Sequence, residues 1–151
     1  MNVGEVCTRD TVTIRPQEDL VAAAKLMREK HVGFLVVVEP AMADGSWRPV
    51  GVLTDRDIVV SVVAREANPR TLRVEDVMTR KPVTVTEDAS LDAALSEMWR
   101  VGVRRLPVIG DLDVLEGVIS VDDLLERLTS QLRHVAGSIR TEQTVERALR
   151  P

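Results

Sequence analysis

Apolar and polar positions follow one order that occurs twice along the chain. Two short β-branched runs, TVTI ending at Ile14 and PVTV ending at Val85, predict strands. Each is followed by apolar residues at positions i, i+3, i+4 and i+7, in DLVAAAKLMREKH and SLDAALSEMWRVG, which predict amphipathic helices. Asp19 and Ser90 stand directly before these helices as predicted N-caps.

Two apolar runs and a second helix complete each copy. FLVVVE and PVGVLT in the first copy, and RLPVIG and LEGVIS in the second, predict buried strands. Helices are predicted from about residue 55 to 67 and from Val121 onward. The order strand, helix, strand, strand, helix therefore occurs twice, and it indicates an α/β fold of two small domains with residues 68–73 as a linker.

The two copies are a sequence duplication. Residues 3–38 aligned with 74–109 give 13 identities in 36 positions without a gap. The offset then falls from 71 to 66 at GVLTDRDI (51–58), which repeats as GVISVDDL (117–124). The first copy thus carries about five extra residues, which we place in EPAMADGSWRP as an inserted loop that contains Trp47.

The repeated phrase places a hydroxyl and a carboxylate at the predicted start of a helix. Thr54 and Ser120 fall where a strand ends, and Asp57 and Asp123 lie three residues later. One interpretation is a capping box, which satisfies free backbone N–H groups. Capping boxes prefer the longer Glu or Gln, so we expect the Asp carboxylates to point out of the helix start. There they can accept hydrogen bonds from ribose hydroxyls. The two interpretations are compatible.

The duplicated pattern resembles a tandem pair of CBS domains, named after cystathionine β-synthase. The resemblance rests on openings of the form V-x-[DE]-V-x-T-R and closings of the form G-V-[LI]-[TS]-x-x-D-[IL], and it covers about residues 1–132. It implies two domains packed sheet to sheet about a pseudo-two-fold axis. It also implies two clefts between the domains for adenosine-type ligands such as AMP, ADP, ATP or S-adenosylmethionine.

The resemblance assigns roles to individual residues. Asp57 and Asp123 are expected to hold ribose, with Thr54 and Ser120 beside them. The segments that enter the first strands are expected to line the adenine pockets, and basic residues before the LPV strand are expected to reach phosphate; these residues are Val12, Thr13, Val83, Thr84, Arg104 and Arg105. The first copy has Gly33 and Phe34 opposite the two arginines, so we expect unequal clefts.

Composition excludes several classes of function. A net charge of −4 and an aromatic content of 2% do not favour a nucleic-acid partner. Neither the single cysteine, Cys7, nor the separated His31 and His134 has the spacing of a metal site or an internal disulfide. Cys7 aligns with Met78, which predicts a buried apolar position. The longest apolar run, VGFLVVV, is too short for a bilayer. We expect a cytoplasmic protein without a membrane partner.

No catalytic motif accompanies the pair. The glycine-rich nucleotide motifs and the G-x-S-x-G motif are absent, and neither histidine has a nucleophile placed beside it by sequence. We therefore expect a non-enzyme that needs no cofactor and that binds an adenosyl ligand as a regulator, signalling through conformation, assembly or an effector protein. The alternative is a ligand-independent dimerisation and protein-interaction module.

The last part of the chain exceeds the two copies. We assign residues 1–67 and 74–132 to the two CBS domains and 133–151 to a helical extension. Five apolar residues at helical spacing predict a seam along it: Leu124, Leu128, Leu132, Val135 and Ile139. Gly137 is expected to weaken this helix near its end. The seam packs either on its own domain or across a homodimer, for which Trp99 is a candidate anchor.

Overall fold

The elements follow the predicted order in both copies. The computed structural model describes residues 1–150. The elements, in chain order, are β1 (Thr13–Ile14), α1 (Leu20–Lys30), β2 (Phe34–Pro40), β3 (Trp47–Thr54), α2 (Asp55–Ile58, continued by a π-helical turn at Val59–Val63), α3 (Val74–Val77), β4 (Thr79–Arg80), β5 (Val85–Thr86), α4 (Leu91–Val101), β6 (Arg105–Ile109), β7 (Leu115–Ser120) and α5 (Val121–Leu149). The predicted α/β class and the strand, helix, strand, strand, helix order are confirmed.

The predicted caps define the amphipathic helices. Asp19 Oδ1 accepts a hydrogen bond from the backbone N–H of Ala22 at 2.6 Å, and the Ser90 hydroxyl accepts one from Ala93 N–H at 3.1 Å. Both satisfy a free N–H of the first turn. His31 and Gly102 end the two helices in the left-handed conformation, at φ 55° and 71°. The equivalent helices therefore begin and end at equivalent positions.

Two sheets share one arrangement. In the first, β1 is parallel to β2, β2 is antiparallel to β3, and β3 is antiparallel to β4. In the second, β5 is parallel to β6, and β6 is antiparallel to β7. Helices cover one face of each sheet, and β3 contacts β7 where the two repeats meet. Each repeat has its own apolar core, built around Leu35 and Leu53 in the first and Leu106 and Ile119 in the second.

The opening segment of each repeat packs on the other repeat. Val74 is fully buried in the first core, and β4 extends the first sheet although it follows the linker. Val3 is fully buried in the second core, and Thr8 pairs with Val118 of β7. This exchange of opening segments between the repeats follows the pseudo-two-fold relation. Val3 N–H donates to the Ala89 carbonyl at 2.9 Å, and at the equivalent positions Val74 N–H donates to the Glu18 carbonyl at 2.9 Å. The repeats are therefore interlocked.

The exchange explains the glycine of the repeated phrase. A Cβ on Gly117 would lie 2.6 Å from the Thr8 carbonyl oxygen and 3.0 Å from Cys7 Sγ. A Cβ on Gly51 would lie 2.6 Å from Met78 Sδ. Because the opening segment crosses β3 or β7 at this point, only glycine leaves room for it. The glycine of the repeated phrase is therefore required by the packing of the two repeats.

The extra residues of the first copy lengthen a hairpin. β2 ends at Pro40 and β3 begins at Trp47. Each is two residues longer than its equivalent in the second copy, which is β6 or β7. Trp47 pairs with Pro40 as the first residue of β3, so its expected place in a loop was wrong. The inserted residues continue the sheet because the two strands keep pairing up to the turn. The Arg15 guanidinium lies over the Trp47 ring, 5.4 Å from its centroid.

Helix α5 contains most of the helical extension predicted for residues 133–151 and runs past the second domain. It is one helix of 29 residues, and it continues through Gly137 without interruption. A Cβ at Gly137 would meet nothing within 4 Å, so the site imposes no kink. From residue 131 to residue 150 every side chain is exposed. The seam therefore does not pack on its own domain beyond Leu124, which is 5% exposed.

None of the helices within residues 1–150, α5 included, has the length and apolarity needed to cross a membrane.

Candidate functional site

Asp57 and Asp123 form capping boxes at the ends of β3 and β7. Asp123 Oδ2 accepts hydrogen bonds from the backbone N–H and the hydroxyl of Ser120, each at 2.7 Å. The Ser120 hydroxyl in turn accepts from Asp123 N–H at 3.1 Å. In the first repeat, Asp57 Oδ2 accepts a hydrogen bond from the Thr54 backbone N–H at 2.8 Å, and the Thr54 hydroxyl accepts one from the Asp57 backbone N–H at 3.1 Å. The structure therefore brings together the hydroxyl and carboxylate of both phrases.

The capping boxes correct one expectation. Aspartate is long enough to reach back to the N-cap, so its carboxylate does not simply point away from the helix. Only one oxygen of each carboxylate is used, however. Oδ1 of Asp57 and Oδ1 of Asp123 accept no hydrogen bond from any residue between 1 and 150. The box thus fixes each carboxylate and leaves one oxygen free to accept from a ligand.

Asp123 lies in a cavity between the two repeats. The cavity has a volume of about 270 Å³. Its walls come from the segment before β1, the turn between α1 and β2, and the β6 to α5 region: Thr8, Asp10, Thr11, Val12, His31, Val32, Gly33, Phe34, Arg105, Val118, Ser120 and Asp123. The lining thus combines apolar side chains with a carboxylate, as a site for a flat base joined to a polar sugar requires.

Thr11 is a site residue that sequence reasoning missed. Its hydroxyl oxygen is buried and has no hydrogen-bond partner in the part of the chain that the structure describes. An unpaired buried hydroxyl carries a desolvation cost that a polar group in the cavity removes. Thr11 directly precedes Val12, which sequence reasoning did name. No sequence signal identified Thr11 itself, because a threonine before a strand has no feature that separates it from other threonines.

The two arginines have different surroundings. Arg105 lines the cavity with Asp123. Arg104 instead lies 3.5 Å from Asp122, and both side chains are well exposed. In the repeat alignment Arg104 corresponds to Gly33, which lines the cavity, and Lys81 corresponds to Asp10. The pseudo-equivalent positions around Asp57 are therefore more basic than those around Asp123.

The remaining predicted residues lie in several environments. Val12 lines the cavity, whereas Thr13 is in β1 and borders a separate surface depression beside α1. Val83 packs against the second core, and Thr84 beside it is partly buried. Thr54 and Asp57 lie at the end of β3 and the start of α2. The roles expected for Thr13, Val83 and Thr84 remain predictions.

A second, larger depression also borders Asp123. It has a volume of about 720 Å³ and is lined by Met1, Glu5, Val6, Asp123, Glu126, Arg127 and Ser130. Its walls carry charges of both signs and few apolar side chains, so it offers little for a nucleobase. We therefore take the inter-repeat cavity as the candidate site.

Cys7 and Arg9 support the wall of the cavity. Burial raises the pKa of the Cys7 thiol, and the nearby Arg9 opposes that change. Cys7 packs against the second core, as its alignment with Met78 predicts. Arg9 donates to carboxylate oxygens of Glu87 and Glu116, each at 3.1 Å, and the bond to Glu87 raises the pKa of Arg9. These contacts hold the opening segment against the second repeat.

Clustered metal ligands are not found in the described part of the chain: no group of three or more His, Cys, Asp or Glu side chains there is arranged to hold a metal ion.

Comparisons with known proteins agree with the fold. The chain is similar to an uncharacterized protein of Methanopyrus kandleri, with 36% identity over 126 residues. The match covers 83% of this chain and 62% of that protein, so the chain spans less than two thirds of the length of that relative.

Two solved structures are similar in fold. The hexameric CBS-CP12 protein from bloom-forming cyanobacteria has a TM-score of 0.70 and 29% identity, over 95% of this chain and 84% of that one. The CBS domain pair of protein MJ0100, solved in complex with 5′-methylthioadenosine and S-adenosyl-L-methionine, has a TM-score of 0.73 and 21% identity. That match covers 87% of this chain and 98% of that one.

The family model for the CBS domain matches the chain twice, at residues 3–64 and 74–130, which together are most of its length. The duplicated order of elements, the interlocked sheets and these two matches agree: the chain belongs to the CBS domain family and contains a tandem pair of these domains.

Proposed function

We propose that this CBS pair is a non-enzymatic regulatory sensor that binds an adenosyl ligand in the clefts between its repeats. The observation that carries the proposal is the inter-repeat cavity, whose lining joins several apolar side chains with Asp123, a carboxylate with one oxygen that accepts no hydrogen bond from residues 1–150. The MJ0100 pair, solved with two adenosyl compounds, supports the ligand class. Signalling occurs through conformation, assembly or an effector protein, in the cytoplasm.

The chemistry of the cavity fits a nucleoside. Carboxylate oxygens accept strongly from hydroxyl donors, so Asp123 holds the ribose diol. Val12, Val32 and Val118 enclose the base by apolar contact, since the chain has few aromatic residues for stacking. A volume of about 270 Å³ is near the lower end of ligand pockets, which favours a nucleoside-sized group over a larger one.

The second cleft is proposed to prefer a phosphorylated ligand. Its ribose clamp is Asp57 with Thr54, and Val83 and Thr84 line the base. Around Asp57 the repeat alignment places Arg104 and Lys81 where the other cleft has Gly33 and Asp10. Cationic donors form charge-assisted hydrogen bonds to phosphate oxygens. AMP, ADP or ATP therefore suits this cleft, and adenosine suits the cleft at Asp123.

We also propose that the chain forms a homodimer. Trp99 is 88% exposed on α4, and the seam residues that follow Leu124 are each more than half exposed: Leu128, Leu132, Val135 and Ile139. So much exposed apolar surface indicates an interface. Light scattering at micromolar concentration is expected to give about twice the chain mass of 16.7 kDa. A mass equal to one chain contradicts the dimer.

Thermal unfolding with a ligand panel tests the sensor. AMP, ADP, ATP, S-adenosylmethionine and adenosine are compared at 1 mM with GMP and NADH. A ligand bound only by the folded chain raises the unfolding midpoint by mass action. At least one adenosyl compound is expected to raise it more than GMP does. No change with any adenosyl compound favours the ligand-independent interaction module instead.

A further inference from the structure

The C-terminal part of helix α5, from residue 131 onward along the helix, projects from the body of the protein without tertiary support. About 19 of its residues, from 131 to 149, have only exposed side chains, which corresponds to roughly 28 Å of helix. An isolated helix of that length is marginal in water, since nucleation is costly and packing normally stabilises it. The projecting part therefore needs a partner.

The exposed side chains define a heptad seam. Leu125, Leu128, Leu132, Val135 and Ile139 follow spacings of three and four, and each is at least 52% exposed. The flanking positions carry Thr129, Gln131, Ala136 and Ser138, which are uncharged. The charged residues of this stretch, Glu126, Arg127, Arg133 and Arg140, lie away from the seam. This apolar face with small, uncharged borders fits another helix of the same kind.

We propose that α5 pairs with α5 of a second copy in antiparallel orientation, with Leu128 of one helix packed against Leu132 of the other. In this register Leu125 faces Val135, so the exposed seam residues meet apolar partners. A parallel pair would instead place Glu142 against Glu142 and Glu146 against Glu146, because both continue the seam. Like charges at facing positions are destabilising. Parallel pairs also use charged flanking residues for pairing, and this helix has none there.

The antiparallel arrangement also accounts for the end of the helix. Val145 and Leu149 are 50% and 76% exposed and lie beyond the glutamates. In the proposed register they face positions 115 and 111, which precede the start of α5 at Val121, so they lie against the body of the second copy. The stripe between the two helices, residues 121–139 and roughly 28 Å by 10 Å, supplies about a third of the ~800 Å² that each partner buries in a standard interface. Contact with the second body adds to it.

This inference rests on the homodimer proposed above but not on the bound ligand. It is tested by the distance between spin labels on two copies, measured by pulsed electron paramagnetic resonance. The background is Cys7→Ser, and single labels are placed at Arg147→Cys and, as the matched control, at Ser130→Cys. Neither site lies on the seam: Arg147 is exposed, and Ser130 borders the depression beside Arg127.

The two orientations predict different distances. Antiparallel pairing places the labels at position 147 roughly 50 Å apart and those at position 130 about 20 Å apart. Parallel pairing gives about 20 Å at both positions and overturns the inference while it leaves the homodimer intact. A chain that stays monomeric overturns both. Leu132→Asp is expected to abolish the distances, whereas Thr144→Asp, at an exposed position away from the seam, preserves the mass of the dimer.

Discussion

Asp123 holds Ser120 through two hydrogen bonds of 2.7 Å to a single carboxylate oxygen, one from the backbone and one from the hydroxyl. This pair lies at the start of α5 and in the wall of the inter-repeat cavity. The cap fixes the carboxylate without a ligand, so little side-chain freedom is lost on binding. Capping therefore uses one oxygen of the carboxylate and leaves the other for the proposed ligand.

Replacing Gly117 with alanine is expected to destabilise the fold. The added Cβ lies 2.6 Å from the Thr8 carbonyl, so the opening segment must shift. We expect a loss of more than ~1 kcal/mol in the free energy of unfolding, measured with urea. Gly137→Ala is the matched control, because nothing lies within 4 Å of its Cβ; there helix propensity predicts a gain of up to about 1 kcal/mol. A neutral Gly117→Ala contradicts the close crossing of the segment.

The Cys7 thiol is expected to react slowly and to make stability depend on alkaline pH. Because burial raises the pKa of Cys7, the folded chain keeps the thiol proton at a pH where the unfolded chain loses it. The free energy of unfolding therefore falls as pH rises from the unfolded pKa through the folded one. Urea titrations at pH 7 to 10 measure this, and Cys7→Ser is expected to lack that part of the slope. If the parent chain and Cys7→Ser lose stability with pH at the same rate, the buried thiol does not cause the pH dependence.

Thr11→Val separates a ligand contact from a structural one. The Thr11 hydroxyl is buried and without a partner, so valine removes a desolvation cost at nearly constant volume. Without ligand, the melting temperature is expected to stay the same or rise. With the adenosyl ligand that the panel identifies, calorimetry is expected to show weaker binding by about threefold to tenfold. Unchanged affinity would mean that the hydroxyl does not meet the ligand.

The two arginines are expected to act on different clefts. Arg105→Ala removes a cation from the cavity at Asp123, and Arg104→Ala removes one from the proposed phosphate side of Asp57. Arg104→Ala is expected to weaken AMP about tenfold more than adenosine, since charge-assisted hydrogen bonds contribute about 1.5–3 kcal/mol. It should leave the sites that Asp123→Asn removes untouched. Equal losses for adenosine and AMP would assign Arg104 to the pocket wall.

Periodicity and the duplication predicted most of the fold. The apolar spacing located α1 and α4 and their caps at Asp19 and Ser90, because those features depend on neighbouring residues. The exchange of opening segments was not predictable in this way. Val3 and Val74 are equally apolar in either sheet, and only the three-dimensional crossing at Gly51 and Gly117 shows which core each one joins.

Sequence reasoning about the candidate site named repeated positions and missed others. Asp57 and Asp123 stood out because they occur twice. Thr11 and Asp10 did not, since the second copy has Pro82 and Lys81 in their places. The sequence also left open whether the seam of α5 packs on its own domain, because periodicity shows that a helix has an apolar face but not what covers that face.

Isothermal titration of Asp57→Asn, Asp123→Asn and the double variant tests the proposed ribose clamp most directly. Asparagine keeps one acceptor for the capping box but turns an amide donor toward the ligand in place of the free oxygen. Each single variant is expected to lose one class of sites, by at least about tenfold in affinity, and the double variant to lose both, while all three melt within a few degrees of the parent chain without ligand. Parent affinity in the double variant, for the adenosyl compound that the panel identifies, would contradict the account and leave both aspartates as helix caps.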